Sequence, residues 1–375
     1  MHASPRGISS TRRLAVIAAA LTTALVLGAC GDDEDAGEAA AAAAPDPSSS
    51  SVGASSSALE GTVNLGFFPN VTHAPALVGI GDGLIQAQLG DGVELNTFTF
   101  NAGTDAIEAF FAGAIDITLI GPNPAINGFA QSNGEALRIV SGSTSGGAYL
   151  VVEPGITSAD QLAGTKIASP SLGNTQDVAL RAWLADQGYA TTPEGGGDVT
   201  ILPQSNATTL ESFVSGQIDG AWVPEPWATR LILEGGGHVL VDERDLWPET
   251  NGEYVTTHAI VRTEYLAEHP ELVKAVIAGL ADAIDAIEAD PATAQATVID
   301  QIEQITAQRP SEAVVAKSFE NLTFTLDPIA ASLQKSADDA IAVGLLDPVE
   351  LTGIYDLTLL NEVLEARGSP AIEAP

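Results

Sequence analysis

The chain is poor in cysteine and in basic side chains. Cys30 is its single cysteine, so no disulfide can form within one copy. Only 14 lysine and arginine residues stand against 49 aspartate and glutamate residues, and the formal net charge is −35 at pH 7. We therefore expect no nucleic-acid partner, because binding of phosphates needs a basic surface.

Common signatures of catalysis are also missing from the sequence. The segment Gly142–Gly146 has threonine, not serine, at the centre of a nucleophile-elbow pattern, and neither a Walker loop nor a dinucleotide fingerprint is found. The histidines do not form an H-x-x-x-H or comparable metal set. They are His2, His73, His238, His258 and His269. We predict a protein with no catalytic residue, metal or cofactor; an enzyme remains the main rival class.

The composition is that of a folded chain. It has 375 residues, of which 45% are hydrophobic and 17% charged, together with 37 glycines and 21 prolines. A large core and many turns are expected from these values. The length suits two ordinary domains or two lobes of one divided fold.

The first 29 residues predict a secretion signal. Arg6, Arg12 and Arg13 precede an apolar run over 14–27, and the run ends in Leu-Gly-Ala before Cys30. About 14 apolar residues are too few for the roughly 20 that span a bilayer. Cys30 stands where a bacterial lipoprotein carries its lipid, typically palmitate. The alternative is a soluble signal peptide with an incidental cysteine, and a partial twin-arginine pattern leaves the export route open.

Residues 30–60 predict a disordered tether. They contain an acidic run, an alanine tract and a serine-rich stretch, none of which can bury a face. Thirty flexible residues reach about 30 Å, from 5–6 Å times the square root of the length. We expect the protein to be lipid-anchored at the extracytoplasmic, periplasmic-side face of the cell membrane.

An internal repeat predicts the architecture. Residues 105–116 and 208–219 match without gaps at an offset of 103 residues. Each copy predicts a helix, a glycine stop at Gly113 or Gly216, and a buried strand. The predicted strands are Ile115–Ile120 and Ile218–Val223. The identical pairs are Glu108 and Glu211, Phe110 and Phe213, Gly113 and Gly216, Ile115 and Ile218, and Asp116 and Asp219.

A proline-rich loop follows each repeated strand. Gly121–Pro124 and Pro224–Trp227 each predict the start of another helix. Ligands of open α/β sheets bind beyond the carboxyl ends of the strands, so two such units predict two lobes that face each other across a cleft. We predict lobe bounds of 61–147 and 148–253, followed by 254–375, which returns to the first lobe and adds C-terminal helices.

Several segments, in order, resemble the nitrate/sulfonate/taurine type of substrate-binding protein from ATP-driven (ABC) importers. They are Gly66–Val78, Gly113–Asp116, Ile120–Ala125, Ser141–Gly147, Leu172–Asp177 and Ala221–Pro226. The aliphatic-sulfonate branch is the most similar. This resemblance implies an α/β, two-lobed periplasmic-binding-protein fold (type II, Venus flytrap). It also implies a monomer that binds a small organic anion and delivers it to a membrane permease and its ATPase.

The resemblance and the predicted loops indicate the same candidate ligand-binding residues. Neutral donors and helix starts can hold an anion without a lysine or arginine. The candidates are Asn70, Thr72, His73, Asn123, Ser143, Thr144, Ser145, Gly173, Asn174, Thr175, Trp222 and Glu225. Ser143–Ser145 are predicted to form a flexible, donor-rich turn at the hinge.

Structural roles compete with ligand binding at many of these positions. His73 and Trp222 can also be explained as packing residues, and Asn70 and Asn123 as turn residues. Glu225 either caps the helix that Pro226 begins or faces the cleft as the partner of a cationic group. Two arginines, Arg181 and Arg230, are expected on the surface, and two tryptophans, Trp183 and Trp227, are expected to pack.

The ligand itself stays open at this point. An aliphatic sulfonate leads, with taurine, nitrate, bicarbonate and a thiamine-pyrimidine precursor as alternatives. A ligand sensor for a membrane kinase is the rival among binding proteins.

Overall fold

A computed structural model describes residues 58–374 of the chain. The predicted signal peptide, Cys30 and nearly all of the predicted tether lie outside these residues. Within them, no helix is both long enough and apolar enough to cross a membrane.

Residues 58–374 fold into two mixed sheets with helices packed on them. The strands are β1 (Gly61–Phe67), β2 (Val93–Thr99), β3 (Ile117–Ile120), β4 (Leu137–Gly146), β5 (Ala148–Val152), β6 (Lys166–Ser169), β7 (Thr200–Pro203), β8 (Gly220–Pro224), β9 (His238–Asp242), β10 (Val255–Arg262) and β11 (Leu322–Phe324).

The helices alternate with the strands until β10 and then dominate the C-terminal part. They are α1 (Ala74–Gly81), α2 (Leu84–Leu89), α3 (Gly103–Phe111), α4 (Pro122–Gln131), α5 (Thr175–Asp186), α6 (Asn206–Val214), α7 (Trp227–Leu233), α8 (Thr263–Glu268), α9 (Pro270–Ala289), α10 (Pro291–Thr306), α11 (Glu312–Glu320), α12 (Ala330–Ala342) and α13 (Thr358–Ala366).

Each sheet is the centre of one lobe. The first has the order β11-β4-β10-β3-β1-β2, and the second has the order β7-β6-β8-β5-β9. We call them the first and second lobe. The chain crosses between them at Gly147, where β4 of one sheet gives way to β5 of the other. It returns to the first sheet with β10. At Gly147 φ is +74°, and a Cβ atom would lie 2.3 Å from Leu322 Cδ2, so glycine is required there.

The internal repeat has the same structure in both lobes. Gly113 and Gly216 end their helices at φ values of 70° and 69°, as the left-handed stop predicts. Asp116 accepts a hydrogen bond from the Asn64 backbone N–H at 3.0 Å, and Asp219 accepts one from the Lys166 backbone N–H at 2.7 Å. Each repeated aspartate therefore fastens the start of β3 or β8 to the neighbouring strand.

The predicted helices after the repeated strands are also present. α4 begins at Pro122 and α7 at Trp227. Because β3 pairs in parallel with β1, and β8 with β6, their carboxyl ends open towards one side in each lobe. The residues that follow these strands therefore meet between the lobes.

The core of the first lobe is covered by the long helix α9. Its predicted apolar face, including Leu272, Val276 and Leu280, is buried against β-strands and the helices α1 and α2. The second lobe has an apolar layer on each side of its sheet, and Trp222 and Phe213 belong to opposite layers. These cores fix the strands, and the strands fix the loops of the cleft.

Ser143, Thr144 and Ser145 do not form the predicted flexible turn. They directly precede Gly146, the last residue of β4. This strand pairs with β10 on one side and with β11 on the other. Their side chains are buried. Two sheet partners satisfy this backbone, so the segment is a rigid strand and only Gly146 and Gly147 remain for the crossing.

Candidate ligand-binding cleft

A cleft of about 260 Å³ lies between the lobes. Both lobes line it, chiefly with loops that follow β1, β2, β6 and β7 and with the first residues of α3, α5 and α6. This volume lies just below the roughly 300–1,000 Å³ of clefts that take drug-sized ligands. The space therefore suits a ligand with a few heavy atoms rather than a drug-sized molecule.

The first loop places three predicted residues at the cleft. Asn70, Thr72 and His73 all line it. The Thr144 hydroxyl donates a hydrogen bond to the Thr72 carbonyl at 2.7 Å. Thr144 thus holds this loop in place from β4 and does not itself line the cleft.

His73 lines the cleft as an uncharged donor. Burial lowers the pKa of His73 from 6.5 to about 3, so the ring is neutral at physiological pH. The Phe68 backbone N–H donates to His73 Nδ1 at 3.4 Å. Because Nδ1 accepts, the proton of the neutral ring is assigned to Nε2. The Phe68 and His73 rings also pack with centroids 4.7 Å apart.

The second lobe contributes the loop that starts α5. Asn174 and Thr175 line the cleft, and Gln176 extends the same edge. Asp177, which is fully buried, holds this loop: its carboxylate accepts from the Gly173 backbone N–H at 3.0 Å and from the Ser169 hydroxyl at 2.6 Å. Gly173 therefore shapes the loop and does not line the cleft.

Asp177 also forms a buried ion pair with Arg181. The Arg181 Nε atom lies 3.0 Å from Asp177 Oδ2, and the two side chains are 1% and 0% exposed. The expectation of a surface Arg181 is wrong. A buried carboxylate needs a partner, and Arg181 reaches it across one helical turn and also donates to the Thr192 carbonyl. This pair supports the cleft loop from inside the second lobe.

Three asparagines that line the cleft have unused acceptor atoms. The side-chain oxygens of Asn70, Asn174 and Asn206 are buried without a hydrogen-bond partner among residues 58–374, and all three residues line the cleft. A buried polar atom without a partner is costly. Donors of a bound molecule or ordered water would remove this cost.

Trp222 is a core residue, contrary to the prediction that it covers a ligand. It is fully buried, its ring packs 5.9 Å from that of Trp183, and its Nε1–H donates to Glu243 at 2.8 Å. It lies in the middle of the β8 ladder opposite Leu150. Of the two explanations that the sequence allows, packing is the one that the structure supports.

Two further predicted residues also lie outside the cleft lining. The Asn123 side-chain amide donates to the Ser336 carbonyl at 2.9 Å and is buried against α12. Glu225 accepts from the Thr229 backbone N–H at 3.1 Å and from the Thr229 hydroxyl at 2.8 Å. Glu225 thus serves the start of α7, as the capping explanation predicts.

Sequence reasoning missed several residues of the cleft. Trp227 was expected only to pack, but it lines the cleft, with the Arg230 guanidinium 4.9 Å from its ring centroid. Asn206 begins the repeat helix α6, so the repeat itself was the signal that could have found it. The other missed polar residues are Asn101, Gln176, Ser205, Thr256 and Thr257.

The lobes touch at the rim of the cleft. A Cβ atom on Gly121 of the first lobe would lie 2.7 Å from the Thr175 hydroxyl of the second. One on Gly103 would lie 3.0 Å from Asn174 Oδ1. Two glycines thus allow the start of α5 to approach the starts of α3 and α4.

The cleft can bind a small molecule but is not arranged for charge pairing. Within residues 58–374 no lysine, arginine, aspartate or glutamate lines it, and no group of three or more metal-ligating side chains occurs in this part of the chain. Its polarity comes from hydroxyls, amides, the His73 ring and helix starts. Such groups bind and orient a ligand by hydrogen bonds.

Comparisons with known proteins agree with this class of two-lobed binding protein. The sequence profile of the NMT1-like family matches residues 58–300. This is more than half of the chain, and the chain therefore belongs to that family. The taurine-binding periplasmic protein of Escherichia coli (strain K12) is 26% identical over 232 residues, which cover 61% of this chain and 68% of that protein.

Solved structures confirm the predicted fold class. The alkanesulfonate-binding protein SsuA of Xanthomonas axonopodis pv. citri, bound to MOPS, has a TM-score of 0.64 and 22% identity and covers 78% of this chain and 96% of its own. The periplasmic nitrate-binding protein NrtA of Synechocystis PCC 6803 has a TM-score of 0.71 and 16% identity, with 84% and 91% covered. The likeness is that of the two-lobed α/β fold of periplasmic binding proteins.

Proposed function

We propose that this protein is the extracytoplasmic ligand-capture component of an ABC importer and that it binds a small organic anion, an aliphatic sulfonate first, in the cleft between its lobes. The observation that carries the proposal is the set of helix starts from both lobes that meet at one small, uncharged, polar cleft. The relatives named above, which bind taurine, alkanesulfonate and nitrate, support an anionic ligand.

The magnitudes agree with a site built on many weak donors. A helix start contributes about 0.3–1 kcal/mol to anion binding, and up to about 2 kcal/mol when partly buried. Micromolar affinity needs about 8 kcal/mol. The backbone N–H groups, the His73 Nε2–H group and the hydroxyls of Thr72 and Thr175 are the donors that would supply the difference in a closed cleft. The aromatic rings of Phe68 and Trp227 would cover an organic tail.

Taurine is the second candidate, and one observation favours it over a simple alkanesulfonate. The unpartnered oxygens of Asn70, Asn174 and Asn206 are acceptors, and an alkanesulfonate has no donor to offer them. The ammonium group of taurine has three.

A lipid on Cys30 would keep the protein at the membrane beside its permease and ATPase. We include this anchor in the proposal on the pattern of residues 1–30 alone. A monomer is sufficient for the role, because both walls of the cleft come from one chain.

Calorimetry on a matched pair of asparagine variants tests whether the cleft is the ligand site. Asn174 occupies the N-cap position of α5, but its side chain makes no capping hydrogen bond. Asn174→Ala should therefore leave the free energy of unfolding unchanged. We expect it to weaken binding of taurine, whose ammonium group would donate to the Asn174 oxygen, by about 0.5–1.5 kcal/mol, or roughly 2- to 12-fold.

Asn123→Ala is the control, since it makes the same deletion at a helix start, but the Asn123 side chain packs against α12 and does not line the cleft. It should lower the free energy of unfolding and leave the affinity unchanged. If Asn123→Ala weakened binding and Asn174→Ala did not, the cleft would not be the site.

A further inference from the structure

A polar contact joins the lobes away from the cleft, and Glu225 is at its centre. The Glu225 carboxylate belongs to the second lobe and is fully buried. Two of its hydrogen bonds come from Thr229 in its own lobe. From the first lobe, the Asn321 side-chain amide donates to Glu225 at 2.6 Å. The Ser318 hydroxyl lies 3.1 Å from the same carboxylate and shares its one proton with the Val314 carbonyl, 2.8 Å away.

Asn321 is held by the second lobe through its backbone as well. The Arg244 guanidinium donates to the Asn321 carbonyl at 2.6 Å and to the Tyr149 hydroxyl at 3.2 Å. Tyr149 and Arg244 are both second-lobe residues. The second lobe therefore binds Asn321 at its carbonyl, through Arg244, and at its side chain, through Glu225. Neither Arg244 nor Glu225 lines the ligand cleft.

This contact lies beside the point where the chain crosses between the lobes. Asn321 precedes β11, whose first residue Leu322 pairs with Gly146 of β4. The Glu225 backbone N–H donates to the Gly147 carbonyl at 2.8 Å. Atoms close to a rotation axis move little when two bodies turn about it. A contact here can persist through opening and closing, whereas a contact at the cleft rim cannot.

The chemistry of the contact fits a permanent link. Thr229 and Asn321 supply three donors to the two carboxylate oxygens, and the Ser318 hydroxyl adds a fourth polar contact. Burial raises the pKa of Glu225, and the hydrogen bonds from Asn321, Thr229 and Ser318 act in the opposite direction. Removing one partner would leave a buried charge with too few donors.

We propose that Glu225 and Asn321 form a side-chain link at the hinge that restricts the lobes to one axis of rotation. The two covalent crossings, at Gly147 and before β10, allow twist as well as bending. A third attachment on the α11 side removes the twist. Both residues act as positioning residues: they align the two walls of the cleft without touching a ligand.

Distances between spin labels in the ligand-free full chain test this link without any assumption about the ligand. Glu108 and Glu211 are exposed and occupy equivalent repeat positions on α3 and α6, one in each lobe. With Cys30→Ser, labels at Glu108→Cys and Glu211→Cys report the distance between the lobes. We expect one narrow distribution for the parent and a broader or shifted one for Asn321→Ala.

Lys317→Ala is the control, because Lys317 is exposed on the same helix and, within residues 58–374, its ion pair is with Glu320. It should leave the parent distribution unchanged. Asn321→Gln, which keeps an amide donor, should be narrower than Asn321→Ala. If Asn321→Ala does not fold, Ser318→Ala removes a single donor and should broaden the distribution on its own. A parent-like distribution in every folded Asn321 or Ser318 variant would overturn the proposal, as would equal broadening in Lys317→Ala.

Discussion

A single methyl group at Gly121 should act as a wedge against closure of the cleft. Gly121 has a φ of −74° as the N-cap of α4, a conformation that alanine adopts without strain. The added Cβ would stand 2.7 Å from the Thr175 hydroxyl oxygen in the other lobe. The contact crosses the cleft, so the clash exists only when the lobes are together.

The size of the effect follows from the cost of overpacking. Forcing one extra carbon into a close-packed contact costs about 1–3 kcal/mol. Thr175 is β-branched and mostly buried at the start of α5, so its hydroxyl has little room to turn away. If closure accompanies binding, Gly121→Ala should raise the Kd about 5- to 150-fold. The free energy of unfolding should change little, because the open form has no clash.

A double-mutant cycle measured by calorimetry separates this wedge from other effects. Thr175→Ala removes the hydroxyl that the new methyl meets, so Gly121→Ala should cost little affinity in that background. Gly155→Ala is the control, since its Cβ would meet nothing nearer than 3.6 Å. An unchanged Kd in Gly121→Ala, or an equal loss in both backgrounds, would show that these lobes do not meet this way around the ligand.

Three further predictions concern the interior and the N-terminus. Asp177→Ala should lower the free energy of unfolding by about 3–5 kcal/mol, since it leaves Arg181 buried and unpaired. Urea titration tests this. The control is Arg230→Ala, which breaks the surface pair with Glu234 and should lower the free energy of unfolding by under about 1 kcal/mol. Burial raises the pKa of Glu243 from 4.5 to about 7, so the folded state retains a proton that the unfolded state has released. The stability from this group is complete below about pH 4.5 and is lost as pH rises through about 7, by roughly 3 kcal/mol. Glu243→Gln should reduce the dependence of stability on pH in a pH series of thermal unfolding. An unaltered dependence would show that other groups cause it. Mass spectrometry of the membrane fraction should find a lipidated N-terminal Cys30, and equal membrane attachment and cleavage in Cys30→Ala would refute the anchor.

The repeat made the fold predictable, because its signals are local. Glycine at a helix end, a buried apolar run and a proline at a helix start each depend on a few neighbouring residues. Gly113 and Gly216 therefore identified the two helix ends correctly. Asp116 and Asp219 recurred in the sequence, but their shared purpose, a bond to the strand beside them, is visible only when that strand is in place.

The cleft was harder to predict, since a loop position does not fix the direction of a side chain. Asn70 and Asn174 line the cleft, whereas Asn123 follows an equivalent strand and is used by α12, an element more than 200 residues later. Trp222 was placed at the strand end, but the alternation of β8 directs it to the core. The sequence predicts a surface position for Arg181, because nothing in it shows that its partner, Asp177, is buried.

Calorimetry of the purified chain against ethanesulfonate, taurine, nitrate, bicarbonate and an aminopyrimidine is the most direct test of the central claim. We expect one site per chain, with micromolar or tighter binding for at least one sulfonate, and tighter binding of taurine if the asparagine oxygens take part. Binding of nitrate or bicarbonate alone would keep the capture role and contradict the sulfonate. Absence of binding to every anion, with tight binding of the uncharged pyrimidine, would contradict an anion-binding cleft altogether.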